Sequence, residues 1–188
     1  MIENEVLKAI KDRRSVLRFE RQPVPDDKLE SVLEAGRWAP SYANAQPWTF
    51  VVVKDQEAIH ALGEQIERIA LARRGHVAIT GQGSGDAQVI IAVVVDPDKD
   101  PHHHLEAGAV AAQNMALAAH AVGLASYWAG VYDDSGQRRS VEAQVREILG
   151  VPKRLRVVAL LPIGVPAYQA KSERGQLSEF VRYDRFQA

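Results

Sequence analysis

Apolar residues recur three and four positions apart in four parts of this 188-residue chain, and each part predicts a helix. Residues 3–12 set Val6, Leu7 and Ile10 on one side and run into the basic stretch "DRRS", where the helix should end. "DDKLESVLEAGRW", 26–38, repeats the spacing with Leu29, Val32, Leu33 and Gly36, behind the start signals Pro25 and Asp26. "EAIHALGEQIERIALARRG", 57–75, aligns Ile59, Leu62, Ile66 and Ile69. A fourth helix, over about 138–149, is stopped by Gly150 and Pro152.

Between these segments the period is lost and the apolar runs become continuous. "WTFVVVK", 48–54, "AQVIIAVVVD", 87–96, and "VVALLPIG", 157–164, read as buried strands, with a short one near "LASYW", 124–128. "LEAGAVAAQNMALAAHAVG", 105–123, is apolar nearly all round and rich in alanine, which predicts a helix buried on most sides and completed by a partner subunit. The polar and aromatic tail, 166–188, has no room for a core and is expected to lie along another surface. Strands separated by helices make a layered α/β or α+β protein, and no internal repeat or linker divides residues 1–188, so a single domain is expected.

Composition narrows the partners. With 23 Lys+Arg against 24 Asp+Glu the chain offers no overall field for nucleic acid or an anionic membrane, and an anion must be held locally. It has no cysteine, which excludes disulfides, thiolate nucleophiles and Cys-ligated metals. Neither a signal-peptide core nor a run of membrane-spanning length is present in the sequence, and a cytoplasmic location is expected.

Several stretches carry candidate chemistry. "GQGSG", 81–85, precedes a strand instead of linking a strand to a helix, so it reads as a loop and not a phosphate cradle. His102, His103 and His104 are adjacent and point in divergent directions, so no metal site is expected there; His60 and His120 read as core or interface residues. Ser41 lacks a nucleophile elbow. Arg13, Arg14 and Ser15 combine two forked cations with a hydroxyl, which suits a phosphate monoester, although basic residues after a helix also complement its dipole. Lys171 and Arg174 in "AKSERG" form a second basic cluster that would complete a phosphate pocket if the two converge. "APSYANAQPW", 39–48, gathers Pro40, Ser41, Tyr42, Asn44, Gln46 and Pro47; a helix-to-strand connection explains the prolines and leaves the polar and aromatic residues unexplained.

"RRSVLRF", "PVPDDKLESVLEAGRWAPSYANAQPWTFVVV", "AGAVAAQNMALAAHAVGLASYWAG", "VVALLPIGVP" and "EFVRYDRF" follow one another over nearly the whole chain. In that order they resemble the FMN-dependent nitroreductase family in its short, single-domain form. The resemblance implies an α+β three-layer sandwich, with a central, mostly antiparallel sheet flanked by helices. It also implies a domain-swapped homodimer, with residues 166–188 wrapping the partner and FMN at the interface in contact with both chains. By the same resemblance Arg13, Arg14 and Ser15, with Arg174 and Lys171, hold the FMN phosphate and ribityl end. Pro40, Ser41 and Tyr42 line the flavin's edge or face, and Asn44 and Gln46, each with a donor and an acceptor, bond to its polar atoms. Trp128, Ala129 and Gly130 present backbone near the reactive nitrogen, while Trp48 belongs to the core. Leu17 stands where the family often has Arg or Lys, so a cation near the pyrimidine end is missing unless Arg18 supplies it.

The implied reaction is ping-pong hydride transfer from NADH or NADPH through FMN to a nitroaromatic, quinone or activated alkene, with no side chain as nucleophile or catalytic acid. Lid loops around 65–85 carry no motif that selects the acceptor. The alternatives are a specialised flavin oxidase or dehalogenase-type member of the same fold, an FMN-binding or storage module with little turnover, and a cofactor-free interaction protein.

Overall fold

The structure is a computed structural model and describes residues 2–72, 86–135 and 137–186. Its elements in chain order are α1 (Glu5–Asp12), α2 (Asp26–Arg37), β1 (Trp48–Val53), α3 (Gln56–Ala72), β2 (Val89–Val95), α4 (His104–Ala121), β3 (Ala125–Ser126), β4 (Ala129–Gly130), α5 (Val141–Leu149), β5 (Arg156–Gly164) and α6 (Leu177–Phe180). The strands form one antiparallel sheet in the order β1-β2-β5-β3, with β4 also pairing with β5.

Alternation along β2 explains why a continuous apolar run sits at the centre. Val89, Ile91 and Val93 join Leu29 and Val32 of α2 and Ala112, Met115 and Ala119 of α4. Ile90, Ala92 and Val94 point the other way, to Ile59, Leu62 and Ile66 of α3 and Val145 of α5. Successive side chains of a strand face opposite sides, so a strand covered on both faces is apolar at every position. The result is a three-layer α+β sandwich, helices on sheet on helices.

β1 departs from the expected buried strand. It is the edge of the sheet; Val53 is buried, whereas Trp48, Phe50, Val51 and Val52 are half-buried and Thr49 is exposed. Trp48, expected in the core, is therefore only partly covered. A β-branched run looks the same in an edge strand as in a central one, because its side chains still pack on the helices while only the backbone lacks a second neighbour.

α4 crosses the sheet closely because it is built of small residues. A Cβ added to Gly108 would lie 2.8 Å from Val158 Cγ2 and 2.8 Å from Val95 Cγ1. Both neighbours are stiff, short side chains that cannot swing aside. Gly108→Ala is accordingly expected to destabilise the protein by about 1–3 kcal/mol, read from the urea midpoint at constant slope.

Part of the apolar surface finds no cover among the described residues. α1 has no buried residue, with Val6 and Ile10 exposed, and Leu177, Phe180, Tyr183 and Phe186 of the tail are all more than 70% exposed. Among the described residues no helix is long and apolar enough to cross a membrane.

Behind the sheet, the Glu142 carboxylate is 1% exposed. It accepts from Arg156 Nε at 2.9 Å and Nη2 at 2.7 Å, and from the backbone N–H groups of Asp133 at 2.9 Å and Val157 at 3.1 Å. Arg156 in turn lies 4.4 Å from the ring centre of Tyr132. One carboxylate thus ties α5, β5 and the segment after β4 together.

Candidate functional site

α1 ends where Arg13, in a non-helical conformation, caps it by donating its N–H to Ala9 O. The chain then runs as an extended strip. Val16 N donates to Ser126 O at 3.2 Å, Ser15 bridges Ser126, and Phe19 bridges Pro166. Ala167 N donates to Arg18 O at 3.1 Å and Leu17 N to the Tyr168 hydroxyl at 3.2 Å. These bonds hold "RRS" between the end of β3 and the start of the tail.

The outcome is a cleft of about 1060 Å³ lined by Arg13, Arg14, Ser126, Lys171, and Ala116 and His120 from the second half of α4. The tail brings Arg174 near enough to be felt by Arg13, whose guanidinium is held below its ordinary pKa by burial first, then by repulsion from Arg14 and Arg174. Arg14 Nη1 donates to the carbonyls of Lys11 and Arg13, and Arg174 Nη1 to Ser172 Oγ and Glu173 O. Among the described residues no carboxylate pairs with Arg13, Arg14, Lys171 or Arg174, although Asp12 and Glu173 also line the cleft. Arg13 Nε, Arg14 Nε and Ser126 Oγ are buried without a hydrogen-bond partner among the described residues. Clustered cations with unsatisfied buried donors are unfavourable until an anion joins them, and the oxygens of a phosphate monoester supply both charge and acceptors.

The second set of predicted residues lies elsewhere. Pro40, Tyr42, Asn44 and Gln46 are exposed and Ser41 is half-buried. Ala43, Asn44 and Gln46 have φ of 46°, 57° and 46°, the left-handed region that costs a non-glycine residue about 1–2 kcal/mol. The loop is held in this form by Gln46 N donating to Ser41 Oγ at 3.0 Å and by Gln46 Nε2 donating to Asn44 O at 3.3 Å. Strain of this kind concentrates at ligand sites. The Tyr42 ring packs 5.2 Å from that of His103, the residue that precedes α4. Trp128 is 44% exposed, Ala129 is buried, and Gly130 lies under the Trp128 indole, beside Leu105 and Glu106.

α4 measures the separation. From Ala116–His120, at the cationic cleft, to His103, beside Tyr42, the helix rise of 1.5 Å per residue gives roughly 20–25 Å. One chain therefore gathers Arg13, Arg14, Ser15, Lys171 and Arg174 at one end of α4 and keeps Pro40–Gln46 at the other, with Trp128–Gly130 along the strand region between. Ser126 escaped the sequence reading. Its signal was the alternation in 124–127, which puts it with Leu124 on the α4 face and opposite Ala125 and Tyr127. Among the described residues no group of three or more His, Asp or Glu is arranged to hold a metal ion. The 81–85 loop and most of the expected lid lie outside the described residues.

The sandwich and its cationic cleft define a family-level match. The Nitroreductase family profile covers residues 10–165. A protein of Methanothermobacter thermautotrophicus, provisionally named an NADH dehydrogenase/NAD(P)H nitroreductase, is 31% identical over 87% of this chain and 78% of its own. A provisionally assigned nitroreductase of Desulfovibrio desulfuricans, solved in complex with FMN, is 33% identical with a TM-score of 0.77 over 99% of this chain and 100% of its own. Rat iodotyrosine deiodinase 1 is 28% identical over 89% of this chain and 64% of its own. The chain belongs to the nitroreductase family, and membership makes it an oxidoreductase.

Proposed function

We propose that the protein is a cytoplasmic homodimer that binds FMN between its subunits and passes hydride from NADH or NADPH to a small-molecule acceptor such as a nitroaromatic, quinone or activated alkene. The observation that carries this reading is the cationic cleft with its buried Arg13 Nε and Arg14 Nε, unpartnered among the described residues, at one end of α4, with the strained 40–46 loop roughly 20–25 Å further along that helix. The donor set fits a phosphate monoester. An extended FMN measures roughly 15 Å from ordinary bond lengths, so within one chain it does not reach both. In a two-fold dimer the loop of the partner meets the cleft of the first chain, and each dimer holds two such sites. The uncovered faces of α1 and the tail, and the free edge of β1, supply the surface for that contact.

Within this site Arg13, Arg14, Lys171 and Arg174 anchor the dianionic end and Ser15 adds a hydroxyl. Tyr42, Asn44 and Gln46 of the partner subunit face the ring with donors, acceptors and an aromatic wall. Ala129 and Gly130 offer backbone that approaches closely because neither has a bulky side chain. FMN, when bound, supplies the hydride-accepting and hydride-donating chemistry. The residues orient it and leave a face open to donor and acceptor in turn, and none is assigned a proton-transfer step.

Similarity to the rat deiodinase keeps reductive dehalogenation as the second reading of the acceptor. The test is an anaerobic absorbance spectrum of the FMN-reconstituted protein before and after NADH, then NADPH. Bleaching of the flavin band, reversed by a quinone or nitroaromatic, is expected. A flavin that stays oxidised with both donors would make the protein a carrier.

A further inference from the structure

Among the described residues, Ser126 carries a buried hydroxyl in the cationic cleft that the fold does not use. It is 3% exposed, its carbonyl accepts from Val16 N, and its Oγ is buried without a partner. β3 fixes where that hydroxyl goes. Ser126 pairs through its backbone with Ile163 on one side and Ser15 on the other, so its side chain stands off the sheet on the α4 face. There it lines the same cleft as Arg13, Arg14, His120 and Lys171. A buried hydroxyl with no partner costs stability relative to alanine, which would fill the position with no polar atom to satisfy. Serine at such a position has a physical rationale when something outside the chain accepts from it.

We propose that the Ser126 hydroxyl is a direct ligand of the ribityl-phosphate tail of FMN, an assignment that rests on the flavin reading above. A phosphate or polyol oxygen held by the neighbouring guanidiniums completes the one bond Ser126 lacks. Arg13 and Arg14 supply the charge; Ser126 supplies a donor from a fixed place on the α4 face, because its backbone is paired on both sides.

The assignment makes two quantities move apart. Ser126→Ala should weaken FMN binding, followed by quenching of flavin fluorescence, by about tenfold or more, as for a hydrogen bond to a charged group. The melting temperature of the flavin-free protein should stay level or rise, since an unsatisfied buried group has been removed. Ser126→Cys keeps the volume but donates weakly, and should lose affinity as alanine does. Riboflavin titrations assign the atom: an equal loss places the bond on the ribityl chain, and a loss confined to FMN places it on the phosphate. Unchanged FMN affinity in Ser126→Ala overturns the assignment. So does wild-type affinity in Ser126→Cys beside a loss in Ser126→Ala, which would make the effect one of packing, and so does a fall of several degrees in the flavin-free melt. Arg13→Ala run in parallel separates the layers: loss there with none at Ser126 removes only this inference, whereas a wild-type protein that takes up no FMN removes the flavin reading as well.

Discussion

Arg13→Ala lowers the affinity for FMN by about tenfold to a hundredfold, the loss that follows when one charge-assisted hydrogen bond of about 1.5–3 kcal/mol is deleted. The structure adds a second expectation. Arg13 is destabilised in the flavin-free chain by burial and by Arg14 and Arg174, and no carboxylate among the described residues compensates it. Its removal should leave the melting temperature of the flavin-free protein unchanged or higher while binding collapses. Arg13→Ala/Arg174→Ala should lose more than either single change, since on the proposed reading both guanidiniums would face one anion. Flavin fluorescence titration at two salt concentrations checks this, and the deficit of the variants should shrink as salt screens the charges they lack. Equal FMN affinity in variant and parent would take Arg13 out of the site.

Glu142→Ala is the most disruptive single change expected outside the site, at about 3–5 kcal/mol of folding stability. Its four bonds come from a guanidinium and two backbone N–H groups, and all of these donors lose their acceptor at once. Arg156, only partly exposed, would be left as an uncompensated charge beside Tyr132. Glu142→Gln keeps the shape but turns one acceptor into a donor facing donors, and should recover less than half of the loss. The measurement is urea unfolding; a loss of unfolding free energy below about 1 kcal/mol would show that the network rearranges around the vacancy.

The sequence was legible where one residue's neighbours in the chain determine its surroundings. β2 is apolar at both parities, and the helix-period residues Leu29, Val32, Ile59, Leu62 and Ile66 are buried on the faces their spacing predicts. It was illegible where distant segments meet. The "VVV" of β1 carries no sign of an edge, because edge or centre is decided by which strands arrive beside it. Glu142 sits in an amphipathic helix as any solvated glutamate would, and only β5 and the 131–134 segment turn it into a buried anchor. The convergence of Arg13 with Arg174 depends on bridges between residues 15–19 and 126–166 that no local pattern announces. Both basic clusters stood out by residue type, with their convergence left open; the physical reason they belong together, an uncompensated and partly buried cluster of positive charge, came from the fold. In the 40–46 stretch the prolines were readable, whereas the left-handed backbone of Ala43, Asn44 and Gln46 was not, since none of them is glycine.

The flavin site proposed above is shared, with the phosphate end from one chain and the ring-facing loop from the other. Subunit complementation tests it most directly, using Arg13→Ala/Arg174→Ala, which lacks the anchor, and Asn44→Ala/Gln46→Ala, which lacks the loop contacts. Each alone should bind FMN poorly. Unfolded together in equal amounts and refolded, half of the dimers are mixed and each mixed dimer has one intact site, so about one quarter of the wild-type sites should return at wild-type affinity. A refolded mixture that binds no better than its two components would contradict the account and place the whole site within one chain.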